Sequence, residues 1–209
     1  MQKSLFDTSD ESTAQSGYER LPMADAEVYY WPNWLKKEDA DRLLPHFVEQ
    51  LKWTQPDITL FGKTMKVPRQ QAWYGDKGSE YSYSGMLMKP LMWEPQLFAL
   101  KGFCEQSCNT RFNSVLANLY RHGQDSMGMH SDDEPELGQN PIIASVSLGE
   151  PRDFIFKHKQ NDDKHKLALE HGSLLIMRGS TQKYWRHGIN KTAKPVNKRL
   201  NFTFRYVHA

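Results

Sequence analysis

Between Glu38 and Trp53 the apolar residues Leu43, Leu44, Phe47, Val48 and Leu51 recur at helical spacing. Pro45 lies inside that stretch and removes a backbone donor, so the pattern predicts a helix that is kinked or shortened there. A second amphipathic helix is predicted over Pro95–Cys108, with Pro95 in the first turn, where the missing N–H has no partner to lose. Between the two, residues 58–74 alternate as a hairpin does, with Phe61, Gly62 and Lys63 at the turn. From Arg111 onward the period changes. The runs SVLANLY, IIASVSL, DFIFK, SLLIMR and RLNFTFRYV are short, strand-like and separated by Gly, Pro and Asn-Asp turns. Helices first and strands later predict an α+β protein whose C-terminal half is a β-sandwich or barrel. Residues 1–18, rich in Ser, Thr, Gln and Asp, predict a flexible tail. The remainder divides into 19–110, with the helices and the hairpin, and 111–209, the β-rich core.

Composition narrows the class. A chain of 209 residues can bury a real core as one domain with extensions, and a monomer is the expected state. No apolar run approaches a membrane span, and MQKSLFDTSDESTAQSG has no apolar signal core; a cytoplasmic protein without a membrane partner is expected. Cys104 and Cys108, four apart in the second predicted helix, read as buried reduced thiols, because no zinc-spaced partners accompany them. The net charge of +2 conceals an asymmetry. From His171 to Ala209 there are eight basic residues and no acidic one, which leaves 19 basic against 25 acidic before it. Such a distribution points either to an anionic partner at the C-terminal end or to a solvated basic face.

The last strand carries the clearest chemistry. Arg199, Asn201, Thr203 and Arg205 share one face, and Leu200, Phe202, Phe204 and Tyr206 the other. Two arginine forks in one row could grip a dicarboxylate at both ends; the competing reading is an exposed strand face. The stretch MHSDDEPE, residues 129–136, poses a similar choice between a solvated acidic loop and a metal site. In extended backbone His130 and Asp132 project to the same side, as two ligands of one ion would. A distant histidine would complete the two-His-one-carboxylate triad that leaves positions open on iron(II). His46 lies in the first helix; His158, His165 and His208 read as exposed, and His122 and His171 each precede a glycine in a loop. His187, which follows the aromatic pair Tyr184-Trp185, remains.

The order His-x-Asp, distant His, arginine strand resembles the iron(II)/2-oxoglutarate dioxygenases, and within them the AlkB family of nucleic-acid demethylases. The likeness runs from about Gln55 to Tyr206 through PRQQAWYGD, YSYSG, NLYRHG, HSDDE, IASVSLG, RDFIFKHK, HGSLLIM, WRHGI and RLNFTFR. It implies a double-stranded β-helix (jelly roll) with N-terminal helices and a nucleotide-recognition hairpin lid. It implies iron(II) on His130, Asp132 and His187, with 2-oxoglutarate and O2 as co-substrates. Arg199 would pair with the distal carboxylate of 2-oxoglutarate and Arg205 with its metal-chelating end, while Asn118, Tyr120 and Asn201 would hydrogen-bond it. The implied reaction is oxidative demethylation of 1-methyladenine- or 3-methylcytosine-type bases in DNA, releasing formaldehyde, with 2-oxoglutarate converted to succinate and CO2. Such bases are cationic, so Asp133 and Glu134 would favour them electrostatically, and Tyr81 and Tyr83 would stack on them. Arg69 and the basic C-terminal region would hold phosphates. Leu60, Phe61 and Gly62 align with the wedge of family members that act on duplex DNA; a buried turn phenylalanine is the plainer reading. Gln2-Lys3-Ser4-Leu5-Phe6 resembles the peptide by which bacterial proteins dock on the replication sliding clamp, without its second leucine, and would give a weak clamp contact. Two other readings stay open: the same chemistry on RNA or a non-nucleic substrate, and a jelly-roll binding module without catalysis.

Overall fold

The structure, a computed structural model, describes residues 17–60, 62–83 and 86–208. Gln2–Phe6 and Phe61 lie outside the described residues, and of Leu60, Tyr81 and Tyr83 only the backbone is described. The strands are β1 (Glu19–Arg20), β2 (Glu27–Trp31), β3 (Asp57–Leu60), β4 (Lys63–Lys66), β5 (Gln70–Gly75), β6 (Tyr81–Tyr83), β7 (Met86–Met88) and β8 (Ser114–Tyr120). They continue with β9 (Met127–His130), β10 (Ile143–Gly149), β11 (Arg152–His158), β12 (Lys164–Leu169), β13 (Ser173–Arg178), β14 (Trp185–Ile189) and β15 (Arg199–Arg205). The helices are α1 (Lys37–Gln50), α2 (Pro95–Cys108) and the single turn α3 (Thr181–Tyr184).

A seven-stranded sheet of order β1-β2-β13-β10-β15-β8-β5 faces a four-stranded sheet of order β12-β11-β14-β9, with antiparallel pairing throughout. This is the jelly roll expected of the resemblance. Helices α1 and α2 cover the outer face of the larger sheet. There Leu200, Phe202 and Phe204 of β15 join Leu43 and Phe47 of α1 and Leu97 and Leu100 of α2 in one apolar cluster. A second cluster fills the space between the sheets, from Ile143 and Leu175 on one side to Phe154, Phe156 and Ile189 on the other. Each fully buried side chain of this size contributes about 1.5–3 kcal/mol, so the two clusters fix the separation of the sheets that flank the interior.

Both faces of β15 are buried, which removes the exposed-face reading of its arginine row. Tyr206 does not share the apolar face with Phe204: β15 ends at Arg205 and Tyr206 is 45% exposed. The alternation stops because Asn113 clips the next residue, donating to the Val207 carbonyl at 2.7 Å and accepting from its N–H at 2.7 Å. Helix α1 runs as one element through Pro45 and ends three residues before Trp53. Strands from both sides of residue 111 share the large sheet, since β2 pairs with β13 and β5 with β8. The expected hairpin over 58–74 is two elements. Strands β3 and β4 form a hairpin in which Gly62 has φ +74°, and β5 leaves it to become the edge of the large sheet. Pro68 stands between β4 and β5 and cannot continue a ladder.

Candidate active site

Pairing of β14 with β9 sets His187 directly opposite His130, with ring centroids 4.4 Å apart. Asp132 follows two residues after His130 and is wholly buried between them. Its Oδ1 is 4.0 Å from His130 Nε2 and its Oδ2 is 3.7 Å from His187 Nε2. His130 Nδ1 lies 2.9 Å from the Gly128 carbonyl, which can only accept, so Nδ1 carries a proton and Nε2 is the nitrogen directed at the site. Phe154 stacks on the His187 ring at 5.2 Å. The Asp132 backbone N–H donates to Gln182 Oε1 at 2.9 Å, and Arg205 Nη2 donates to Asp132 Oδ1 at 2.6 Å.

Electrostatics put Asp132 and His187 in ligand form at neutral pH. Burial pushes the Asp132 carboxyl up, but Arg205, His187 and His130 together outweigh it and hold the group at about 2. Burial pushes the His187 imidazole down to about 3, and the nearby His130 adds to that. One carboxylate and two imidazoles, whose ligand atoms lie within 4.8 Å of one another, suit a divalent iron with open positions. Asp132 Oδ2 is buried without a hydrogen-bond partner among the described residues, as a ligand oxygen directed at an ion would be.

Gly188 is what lets the two histidine strands approach. A Cβ there would sit 2.8 Å from the Met127 carbonyl oxygen and 3.0 Å from that of Gly128. Because both contacts are backbone, Gly188→Ala is expected to push β14 from β9, destabilise the fold by about 1–3 kcal/mol and weaken iron binding. Thermal unfolding and an iron titration of the variant check this; wild-type affinity for iron would contradict it.

Asn118, Tyr120, His130, Asp132, His187, Asn201 and Arg205 line one interior cavity. Away from the metal triad, the row on β15 ends at Arg199, which is 1% exposed. Its guanidinium lies 5.1 Å from the centre of the Tyr120 ring and donates through Nη2 to Ser147 Oγ at 2.9 Å. Nε and Nη1 have no hydrogen-bond partner among the described residues. Burial lowers this group to about 10, so it stays cationic at neutral pH. A buried cation with uncommitted donors fits the distal carboxylate of 2-oxoglutarate. The Asn201 amide is engaged at both ends, donating to Ser145 Oγ at 2.8 Å and accepting from Thr203 Oγ1 at 3.1 Å.

Some expectations need correction. Arg69 does not face outward toward phosphates: it is 4% exposed and donates through Nε to Asn118 Oδ1 at 2.8 Å. It lies just before β5, whose pairing with β8 carries it inward. His158 is buried on the inward side of β11 and stacks on Tyr184, rather than standing exposed in the turn. Asp133 is exposed but paired with Lys159 at 3.0 Å; Glu134 leads into a 3-10 turn, Pro135–Leu137. Tyr81 and Tyr83 lie on the β6–β7 hairpin and Leu60 at the tip of β3, all with undescribed side chains. Sequence reasoning missed Ser145, Met127, Met177 and Gln182. Ser145 and Ser147 could have been found, since both interrupt the apolar run of β10 on the face that registers with Thr203 and Asn201.

Residues 27–205 match the 2OG-Fe(II) oxygenase superfamily. The chain is 39% identical over 197 residues to alpha-ketoglutarate-dependent dioxygenase alkB homolog 3 of Homo sapiens, covering 90% of this chain and 68% of that protein. It is 40% identical over 183 residues to DNA oxidative demethylase ALKBH2 of Mus musculus, covering 82% and 76%. The chain belongs to the AlkB family. A solved structure of OsALKBH1 shares its fold with a TM-score of 0.61 at 20% identity, over 85% of this chain and 97% of that one. As an AlkB-family dioxygenase it uses iron(II), 2-oxoglutarate and O2, and the His130-Asp132-His187 triad fits the iron. No helix among the described residues is long and apolar enough to cross a membrane.

Proposed function

We propose that this AlkB-family chain removes N-methyl groups from cationic alkylated bases such as 1-methyladenine and 3-methylcytosine in duplex DNA. What most supports the reading is the 40% identity to a protein named as a DNA oxidative demethylase, over a stretch of 183 residues. When bound, iron(II) with 2-oxoglutarate and O2 supplies the oxidation of the methyl group, which leaves as formaldehyde while 2-oxoglutarate becomes succinate and CO2. The protein's part is to seat the base. Asp133 and Glu134 place negative charge beside the iron ligands, where a methylated cation is favoured. Leu60, Phe61 and Gly62 are the wedge that fills the stack when the base is flipped. Tyr81 and Tyr83 are the residues proposed to stack on the base.

Exposed Lys183, Arg186, Lys191, Lys194 and Lys198 hold the phosphates, so binding falls steeply with salt. The test is formaldehyde release from a duplex oligonucleotide containing 1-methyladenine, in the presence of iron(II), 2-oxoglutarate and O2. Release at a rate well above that from unmethylated duplex is expected. No release would falsify the substrate assignment, and release from methylated RNA but not matched DNA would move it to RNA.

A further inference from the structure

Three consecutive residues of the acidic loop are tied to the α3–β14 segment and to Lys159, which follows β11 of the same sheet as β9. Ser131 Oγ donates to the Trp185 carbonyl at 2.9 Å, and the Asp132 N–H donates to Gln182 Oε1 at 2.9 Å. Asp133 Oδ2 accepts from Lys159 Nζ at 3.0 Å. The same ammonium donates to the Gln182 carbonyl at 2.8 Å, and the Lys159 backbone N–H donates to the Tyr184 carbonyl at 2.7 Å. Lys159 is therefore built in rather than dangling: its side chain is 22% exposed, against 57% for Asp133. It follows the last residue of β11 and bridges the α3 turn to the loop that holds an iron ligand.

This placement sets two opposed charges together at the residue next to Asp132 in the chain. Asp133 attracts a cationic base, while Lys159 directs that carboxylate toward α3 and cancels part of its field. We propose that Lys159 is a specificity-determining positioning residue, which through its bond to Asp133 limits the preference of the site for cationic over uncharged methylated bases. The assignment rests on the substrate reading given above. A bridge serving stability alone would change the handling of both kinds of base equally. A bridge that tunes charge changes their ratio.

3-Methylcytosine and 3-methylthymine form the right pair, being close in shape, with the first cationic and the second neutral. The experiment compares kcat/KM for the two, each in the same oligonucleotide, between wild type, Lys159→Met and Lys159→Arg. In Lys159→Met the ratio of cationic to neutral turnover is expected to rise by roughly threefold, as one unit charge about 8 Å away in water-like surroundings would give. Lys159→Arg, which keeps the charge, should hold the wild-type ratio, and raised salt should shrink the difference between Met and wild type. An unchanged ratio in Lys159→Met, with both rates falling together, overturns the role of Lys159 and leaves the substrate reading intact. Wild type that demethylates neither base overturns both.

Discussion

Asp132→Ala is expected to abolish formaldehyde release and the weak visible absorption that appears when iron(II) and 2-oxoglutarate are mixed with the protein without oxygen. The loss should exceed the roughly 10–100-fold effect of removing a group outside the ligand shell, because Asp132 supplies the one anionic ligand. A second consequence follows from burial. Arg205 is 3% exposed and its Nη2 donates to Asp132 Oδ1 at 2.6 Å; without the carboxylate a buried guanidinium loses its counter-charge. Breaking such a pair from one side costs about 3–5 kcal/mol, so the variant should also unfold at lower temperature. Asp132→Ala with Arg205→Met should recover much of the stability and none of the iron binding. An absorption band retained in Asp132→Ala would remove Asp132 from the ligand set.

The same carboxylate and its neighbour make the metal-free protein acid-sensitive. Asp132 is depressed from 3.8 to about 2, so its contribution to stability is full above about 4 and is lost as pH falls through 2. His187 is depressed from 6.5 to about 3, so between those values the unfolded chain binds a proton that the folded chain refuses. Both shifts act in one direction. Stability should begin to fall as pH drops below about 6.5 and fall further below 4, which chemical denaturation at stepped pH would measure.

Legibility in the sequence varied with how local the cause was. Helix α2 was found at its full length because its ends are locally coded. Glu94 accepts from the Leu97 N–H at 2.9 Å, Pro95 starts the first turn, and Asn109 closes the helix in the left-handed region at φ 47°. Strand β8 was read whole because all seven residues are buried, which makes a continuous apolar run interrupted only by Asn118. Strands β9 and β14 escaped, although they carry His130 and His187, because MGMH and WRHGI are short and contain glycine. Their extended form comes from pairing with each other and with β11. The two histidines were reached through their order relative to Asp132 and the arginine strand, not through local pattern. Arg69 was read as a phosphate contact, and Gln182 and Lys159 were given no role, since each makes its contact only with an element distant in the sequence.

Arg199→Met separates ligand recognition from stability and should move the two in opposite directions. With bound co-substrate, the guanidinium of Arg199 would face a carboxylate in a dry setting, and truncating one side of such a pair costs about 2–5 kcal/mol. Affinity for 2-oxoglutarate should therefore fall by about 30-fold or more, read from the anaerobic absorption titration. Without co-substrate the balance differs. The group is buried, Nε and Nη1 lack partners among the described residues, and its compensation there comes only from Ser147 and neighbouring tyrosines, chiefly Tyr120, with no carboxylate opposite it. A methionine of similar length removes that desolvation penalty, so the ligand-free variant should be as stable as wild type or more so. The rise in unfolding temperature that 2-oxoglutarate gives the wild type should be lost with it. Arg199→Lys should not rescue binding, because an ammonium cannot present the paired donors of the fork. 2-Oxobutyrate, which keeps the metal-chelating end and lacks the distal carboxylate, should bind wild type and variant alike. Wild-type affinity for 2-oxoglutarate in Arg199→Met would show that the distal carboxylate is held elsewhere, and equal weakening toward both acids would show a collapsed cavity.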